Sequence, residues 1–124
     1  MSGELRLAGV SPVRPDAQGS PALPDERLDD LERVFVGRYL RRAPIAVAAY
    51  GFDVDPFDPA RPEVVPLHLH TDGFWVWSES LAYFATRHGI APEPEFLAHL
   101  KRYQYQPPGV APDVLRRAAQ LAMG

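Results

Sequence analysis

The residues most able to do chemistry in this sequence are histidines and acids at short, regular spacing. His68 and His70 stand two apart in the run 64–70, VVPLHLH. In a strand, residues two apart share one face. Two imidazoles side by side could bind a divalent cation, with Asp72 or His88 as a third ligand. The same spacing is that of a half-buried edge strand, with Pro66, His68 and His70 on one face and Val65, Leu67 and Leu69 on the other. Asp53, Asp55 and Asp58 are spaced like part of a calcium loop. The Gly and the terminal Glu that such a loop needs are missing, and Pro56 and Pro59 interrupt it. Ser78 and Ser80 lie near His70 in sequence, but no nucleophile elbow, phosphate-cradling glycine loop or HExxH motif is present. We expect no catalytic residue, no metal and no cofactor. A small enzyme or metal-binding domain centred on His68 and His70 is the alternative.

The acids have a second reading. Asp53, Asp55, Asp58 and Glu63 stand against one base, Arg61, so the stretch 52–63 carries three net negative charges, equal to the chain's formal charge of −3. A concentrated acidic loop steers association with a basic protein surface. Pro56, Pro59 and Pro62 would stiffen it, and Phe52 or Phe57 would supply an apolar anchor, inward or to a partner. In the run 74–77, Trp75 and Trp77 share one face of a strand and Phe74 and Val76 the other; helices that need something to cover favour a packed core, and an aromatic face offered to a partner is the alternative. The candidate partner-binding residues are therefore Phe52, Asp53, Asp55, Phe57, Asp58, Glu63, His70, Asp72 and Trp75.

The elements that must position these residues can be read from periodicity. Residues 25–42 form a first helix with Leu28, Leu31, Phe35 and Tyr39 inward, and Asp25 as cap or first-turn acid. Gly37 lets another element approach, and Pro44 ends the helix. Residues 45–50 are a short apolar strand, and 51–63 a proline-rich loop. The runs 64–70 and 74–78 flank Thr71-Asp72-Gly73, a strong hairpin signal, with Pro66 marking an edge. Helices follow at 79–89, capped by Ser78 and stopped by Gly89, then after Pro92 and Pro94, and again after Pro112. Tyr103-Gln104-Tyr105-Gln106 is a short strand or an extended linker. The expected fold class is α+β: a small, mainly antiparallel three-stranded sheet over 45–50, 65–70 and 74–77, packed by about four helices.

Composition bounds the rest. At 124 residues the chain is one domain, and 46% apolar residues suffice for a core. Residues 1–24 hold four prolines and no aromatic, so they form a flexible tail with a short extended piece at 5–10, ahead of a single domain over 25–124. The absence of cysteine excludes disulfides, thiolate metal sites and a cysteine nucleophile. No basic face for nucleic acid, no signal-peptide core and no membrane-spanning run is present, so the expected setting is cytoplasmic.

One resemblance adds to this. His70-Thr71-Asp72-Gly73-Phe74-Trp75-Val76-Trp77 is followed by Ser80-Leu81-Ala82-Tyr83-Phe84, Gly89-Ile90-Ala91-Pro92 and Pro94-Glu95-Phe96-Leu97-Ala98-His99-Leu100. Together they resemble the HTDG-x-W-x-W motif of small uncharacterised actinobacterial proteins near polymorphic-toxin genes, including NAD-hydrolysing toxins of the necrotizing-toxin type. The resemblance covers roughly residues 64–100. It implies an immunity or accessory protein that binds a toxin, and it carries over no catalytic residue.

Overall fold

The computed structural model describes residues 4–9 and 22–123. Its elements in chain order are β1 (Arg6–Leu7), α1 (Asp30–Arg42), β2 (Ile45–Val47), β3 (Phe52–Val54), β4 (Glu63–Pro66), β5 (Leu69–Thr71), β6 (Trp75–Ser78), α2 (Ser80–His88), α3 (Pro94–Arg102) and α4 (Pro112–Met123). The class is α+β, with four helices among the described residues.

Helix α1 starts five residues later than Asp25 suggests. Asp29 caps it: Glu32 N–H donates to Asp29 Oδ1 at 2.8 Å, and Asp29 N–H reaches back to Glu32 Oε1 at 3.4 Å. This reciprocal capping box satisfies two amides that a helix start would leave bare, and it outcompetes the acids upstream. The buried stripe is accordingly Val36, Tyr39 and Leu40, while Leu31 stays exposed. Gly37 does permit a close approach: a Cβ there would lie 2.6 Å from Thr86 Oγ1 of α2.

The main sheet has four strands in the order β1-β6-β5-β2, in place of the expected three. β5 pairs antiparallel with both β6 and β2, and β1 adds a parallel edge beside β6. The extended piece expected at 5–10 includes this edge strand, and residues 10–21 of the expected tail lie outside the described residues. The expected strand 65–70 is split. Its first part, β4, leaves the main sheet and pairs with β3 as a separate two-stranded ribbon, with Phe52 opposite Pro66 and Asp53 opposite Val65. The beginning of the expected loop 51–63 is thus a strand. Pro66, which has no N–H to give a ladder, marks the switch between sheets.

Trp75 and Trp77 face the helices and are almost fully buried with Tyr39, Leu40, Phe96 and Leu100. Trp77 Nε1–H donates to the Leu40 carbonyl at 3.0 Å, so the indole's one polar atom is satisfied inside the core. Tyr103 and Tyr105 form no strand. Gln104 and Tyr105 have φ of +53° and +57° where α3 ends, and the Tyr105 ring stacks on Phe35 at 5.4 Å.

Gly73 closes the β5–β6 hairpin with φ of +92°, as the Asp-Gly pair predicts. A Cβ there would meet only ordinary contacts, at 3.9 Å from Val110 and Val114. Its cost would come from backbone strain alone. Gly73→Val should therefore destabilise the domain by about 1–2 kcal/mol, seen as a lower melting temperature. A melt unchanged by the substitution would contradict the turn.

Candidate functional site

Two buried aspartates organise the polar groups of the molecule, and they do so in the same way. Asp72 is 1% exposed. Its Oδ1 accepts from the Phe74 and Trp75 amides at 2.9 and 2.8 Å, which folds the hairpin turn onto its own side chain. Its Oδ2 accepts from the Tyr39 hydroxyl at 2.5 Å and from His99 Nε2 at 2.7 Å. One carboxylate thereby joins the hairpin to α1 and α3. Burial first, and then the Asp72 carboxylate, push the Tyr39 hydroxyl far above the usual phenol range, so it remains a donor.

Asp55, also fully buried, repeats the pattern. Oδ1 accepts from the Phe57 amide at 2.9 Å, and Oδ2 accepts from the Tyr83 hydroxyl at 2.7 Å and His88 Nε2 at 2.8 Å. Its own N–H donates to the Pro62 carbonyl at 2.9 Å, closing the loop between β3 and β4. Burial raises its pKa. The bonds from Tyr83, His88 and the Phe57 amide, with the His88 charge, outweigh burial and hold the carboxyl below the usual carboxylate range. The Tyr83 hydroxyl is raised, by burial and by its bond to Asp55.

His70 is 1% exposed, with Nδ1 2.7 Å from the Ala43 carbonyl and Nε2 2.7 Å from Glu79 Oε1. A carbonyl only accepts, so Nδ1 is the donor to Ala43. Both ring nitrogens are occupied. His68 accepts from the Ala49 amide through Nδ1 at 2.9 Å. Among the described residues no three His, Asp or Glu side chains converge in a metal-holding group. Ser78 and Ser80 bond to each other at 2.8 Å rather than to an imidazole.

Each Tyr–Asp–His network is built around a buried carboxylate, with the His88 and His99 side chains only 12% and 9% exposed. Two surface cavities of about 420 and 210 Å³ are lined by other residues, Leu28, Pro94 and Leu97 in the larger, Leu69 and Val76 in the smaller. The networks act as pins between elements.

Of the candidate contact residues, Asp55, His70, Asp72 and Trp75 are interior, and the side-chain polar groups of Asp55, His70 and Asp72 are bonded within the chain. In the folded chain these four residues are covered by other parts of the same chain. Phe57 packs its ring on Phe84 and His88, at 5.9 and 5.2 Å, and anchors the loop from within. Asp58 caps its own turn through the Ala60 amide. Phe52, Asp53 and Glu63 remain exposed on the ribbon. Tyr50, 93% exposed, and Val64 stand beside them in the chain and were not expected there. Tyr39 and His99 were missed as network members. The signal for both was a polar side chain on the apolar stripe of a helix, His99 three residues after Phe96 and next to Leu100.

No protein-family model matches this sequence, and neither a curated protein nor a solved structure gives a significant match.

Two outcomes follow from the networks. Asp72→Ala would leave Tyr39, His99 and two amides without their acceptor, and should cost about 3 kcal/mol or more in a denaturant titration. For Asp55 the folded pKa lies below the unfolded value. Its contribution is present above about pH 4, the ordinary carboxylate value, and is lost as pH falls through the lower folded value. Asp55→Asn should lower the melting temperature at pH 7, with the gap to wild type closing as both are acidified toward pH 2. A gap independent of pH would refute this role.

Proposed function

We propose that this chain is a protein-binding module, an immunity-type inhibitor or accessory protein that pairs with a bacterial toxin. The observation that carries the reading is the β3–β4 ribbon. Phe52, 61% exposed, and half-exposed Val64 lie on this ribbon with the acids Asp53 and Glu63, and Tyr50, 93% exposed, stands two residues before it. Large exposed aromatics in a charged rim are the composition of a binding hot spot. The ribbon is also held in shape before binding. Asp55 ties its loop to α2 through Tyr83 and His88, so little conformational freedom is left to lose on association. Asp53, Asp58 and Glu63 face one base, Arg61, and the excess of acid suits a basic partner.

The resemblance of the segment 70–77 to proteins of toxin loci supports the choice of partner class. No helix among the described residues is long and apolar enough to cross a membrane. In this reading the module meets its toxin in the cytoplasm.

The test is calorimetric titration against the toxin domain encoded beside its gene. Wild type should form a stoichiometric complex. Phe52→Ala should weaken it about tenfold or more. Asp53→Asn with Glu63→Gln should slow association at low salt, with the difference fading as salt rises. No complex with wild type would remove the reading, and full affinity in all these variants would remove the ribbon from it.

A further inference from the structure

The outer edge of β6 carries a second binding surface, unrelated to the ribbon. In the folded chain it is occupied by residues 5–9. Two backbone bonds seat them: Arg6 N–H donates to the Phe74 carbonyl at 3.0 Å, and Ala8 N–H to the Val76 carbonyl at 2.9 Å. Gly9 and Glu93 exchange a further pair, Gly9 N–H to Glu93 Oε1 at 3.0 Å and Glu93 N–H to the Gly9 carbonyl at 3.1 Å. The Arg6 guanidinium lies 4.2 Å from the centre of the Trp75 ring and pairs with Glu95. Ala8 packs on the edge of the core. This is how a protein reads an extended peptide: main-chain bonds set the register, and alternate side chains meet a cation site and a small-residue site.

The segment is lightly held. Leu7 is 62% exposed, and the Arg6–Glu95 pair is more than half exposed on both sides. It buries little apolar surface, and exposed ion pairs contribute little. A strand of two residues can leave without disturbing the antiparallel core of the sheet.

We infer that the β6 edge, with Trp75, Glu93 and Glu95, is a strand-accepting site, and that residues 5–9 are its exchangeable occupant in the chain itself. The occupant it accepts from outside is an extended basic segment of another protein, running arginine, apolar residue, small residue, glycine. Charge complementarity with Glu93 and Glu95 and the contacts of Arg6, Ala8 and Gly9 define that chemistry.

The probe is the synthetic peptide Glu-Leu-Arg-Leu-Ala-Gly-Val, the sequence of residues 4–10. It is titrated into the full-length chain and into full-length Ala8→Pro, which loses the N–H that donates to Val76 and so vacates the edge. Tryptophan fluorescence reports binding through Trp75. Ala8→Pro should bind the peptide about tenfold more tightly than wild type does, because the tethered segment no longer competes. Replacing the peptide's arginine by alanine should weaken binding about fivefold. No saturable binding to folded Ala8→Pro would overturn the inference, as would indifference to the arginine. If Ala8→Pro does not fold, hydrogen exchange on wild type decides. Arg6 and Ala8 amides should exchange about a hundredfold faster than that of Trp77, which pairs with β5, through local opening. Exchange at one common rate would mean that the edge never opens. Dimerisation of wild type on concentration, reversed by the peptide, would assign the site to a second copy and overturn the heterologous partner.

Discussion

A carboxylate that is 1% exposed must have its oxygens bonded, because an ion taken out of water without partners costs several kilocalories per mole. Asp72 meets that demand with four donors drawn from three places: the hairpin it begins, the Tyr39 hydroxyl of α1 and His99 of α3. Much of the remaining architecture follows from this constraint. Tyr39 and His99 can reach one oxygen atom only if α1 and α3 pack on the same face of the hairpin. Trp77 and Phe96 then fill the space between them, with ring centres 5.1 Å apart. Among the described residues no buried side-chain nitrogen or oxygen lacks a partner. A polar centre that is fully bonded specifies one arrangement of the elements around it, whereas apolar contacts alone tolerate several.

Asp55 applies the same physics to a different end. Its network lies under the loop between β3 and β4, where Tyr83 and His88 of α2 hold it. A two-stranded ribbon is only marginally stable by itself. Bonded to α2 by one buried carboxylate, and with Phe57 stacked on Phe84 and His88, this one becomes a fixed projection. The acid that looked like a surface charge is the group that keeps the exposed ribbon in place. Exposed aromatics and interior polar pins are thus two parts of one arrangement, and the third pair, His70 with Glu79, fastens the start of α2 to β5 in the same style.

Local elements were legible where local chemistry decides them. The hairpin turn at Gly73 and the stop of α2 at Gly89, with φ of +92° and +69°, were readable because few residues other than glycine adopt that backbone. The starts of α3 and α4 were readable from Pro94 and Pro112, whereas α2 begins after Glu79, one residue beyond the cap expected at Ser78, and Glu79 makes no side-chain cap. The start of α1 was misplaced because five acids in the run 25–32 compete as caps, and only the reciprocal bond between Asp29 and Glu32 chooses among them. The pairing of Phe52–Val54 with Glu63–Pro66 was not legible. Its strands are short, and the three prolines between them mask an antiparallel pair as a loop.

By itself the sequence determined the class of fold, the hairpin, the helices and the shared face of the two tryptophans, since each depends on periodicity or on one residue's backbone; that this face turns inward was decided by the helices that cover it. It also set the chemical inventory: no thiol, four scattered histidines and an acid-rich middle. Tertiary structure alone decided which acids are surface and which are core. Asp53 and Asp55 are two residues apart and alike in sequence, yet Asp53 is exposed and Asp55 is buried. The difference lies in donors that are distant along the chain, Tyr83 and His88 for Asp55, Tyr39 and His99 for Asp72. A carboxylate's environment is set by what folds against it, and the neighbours that bury it come from elements that no local pattern connects.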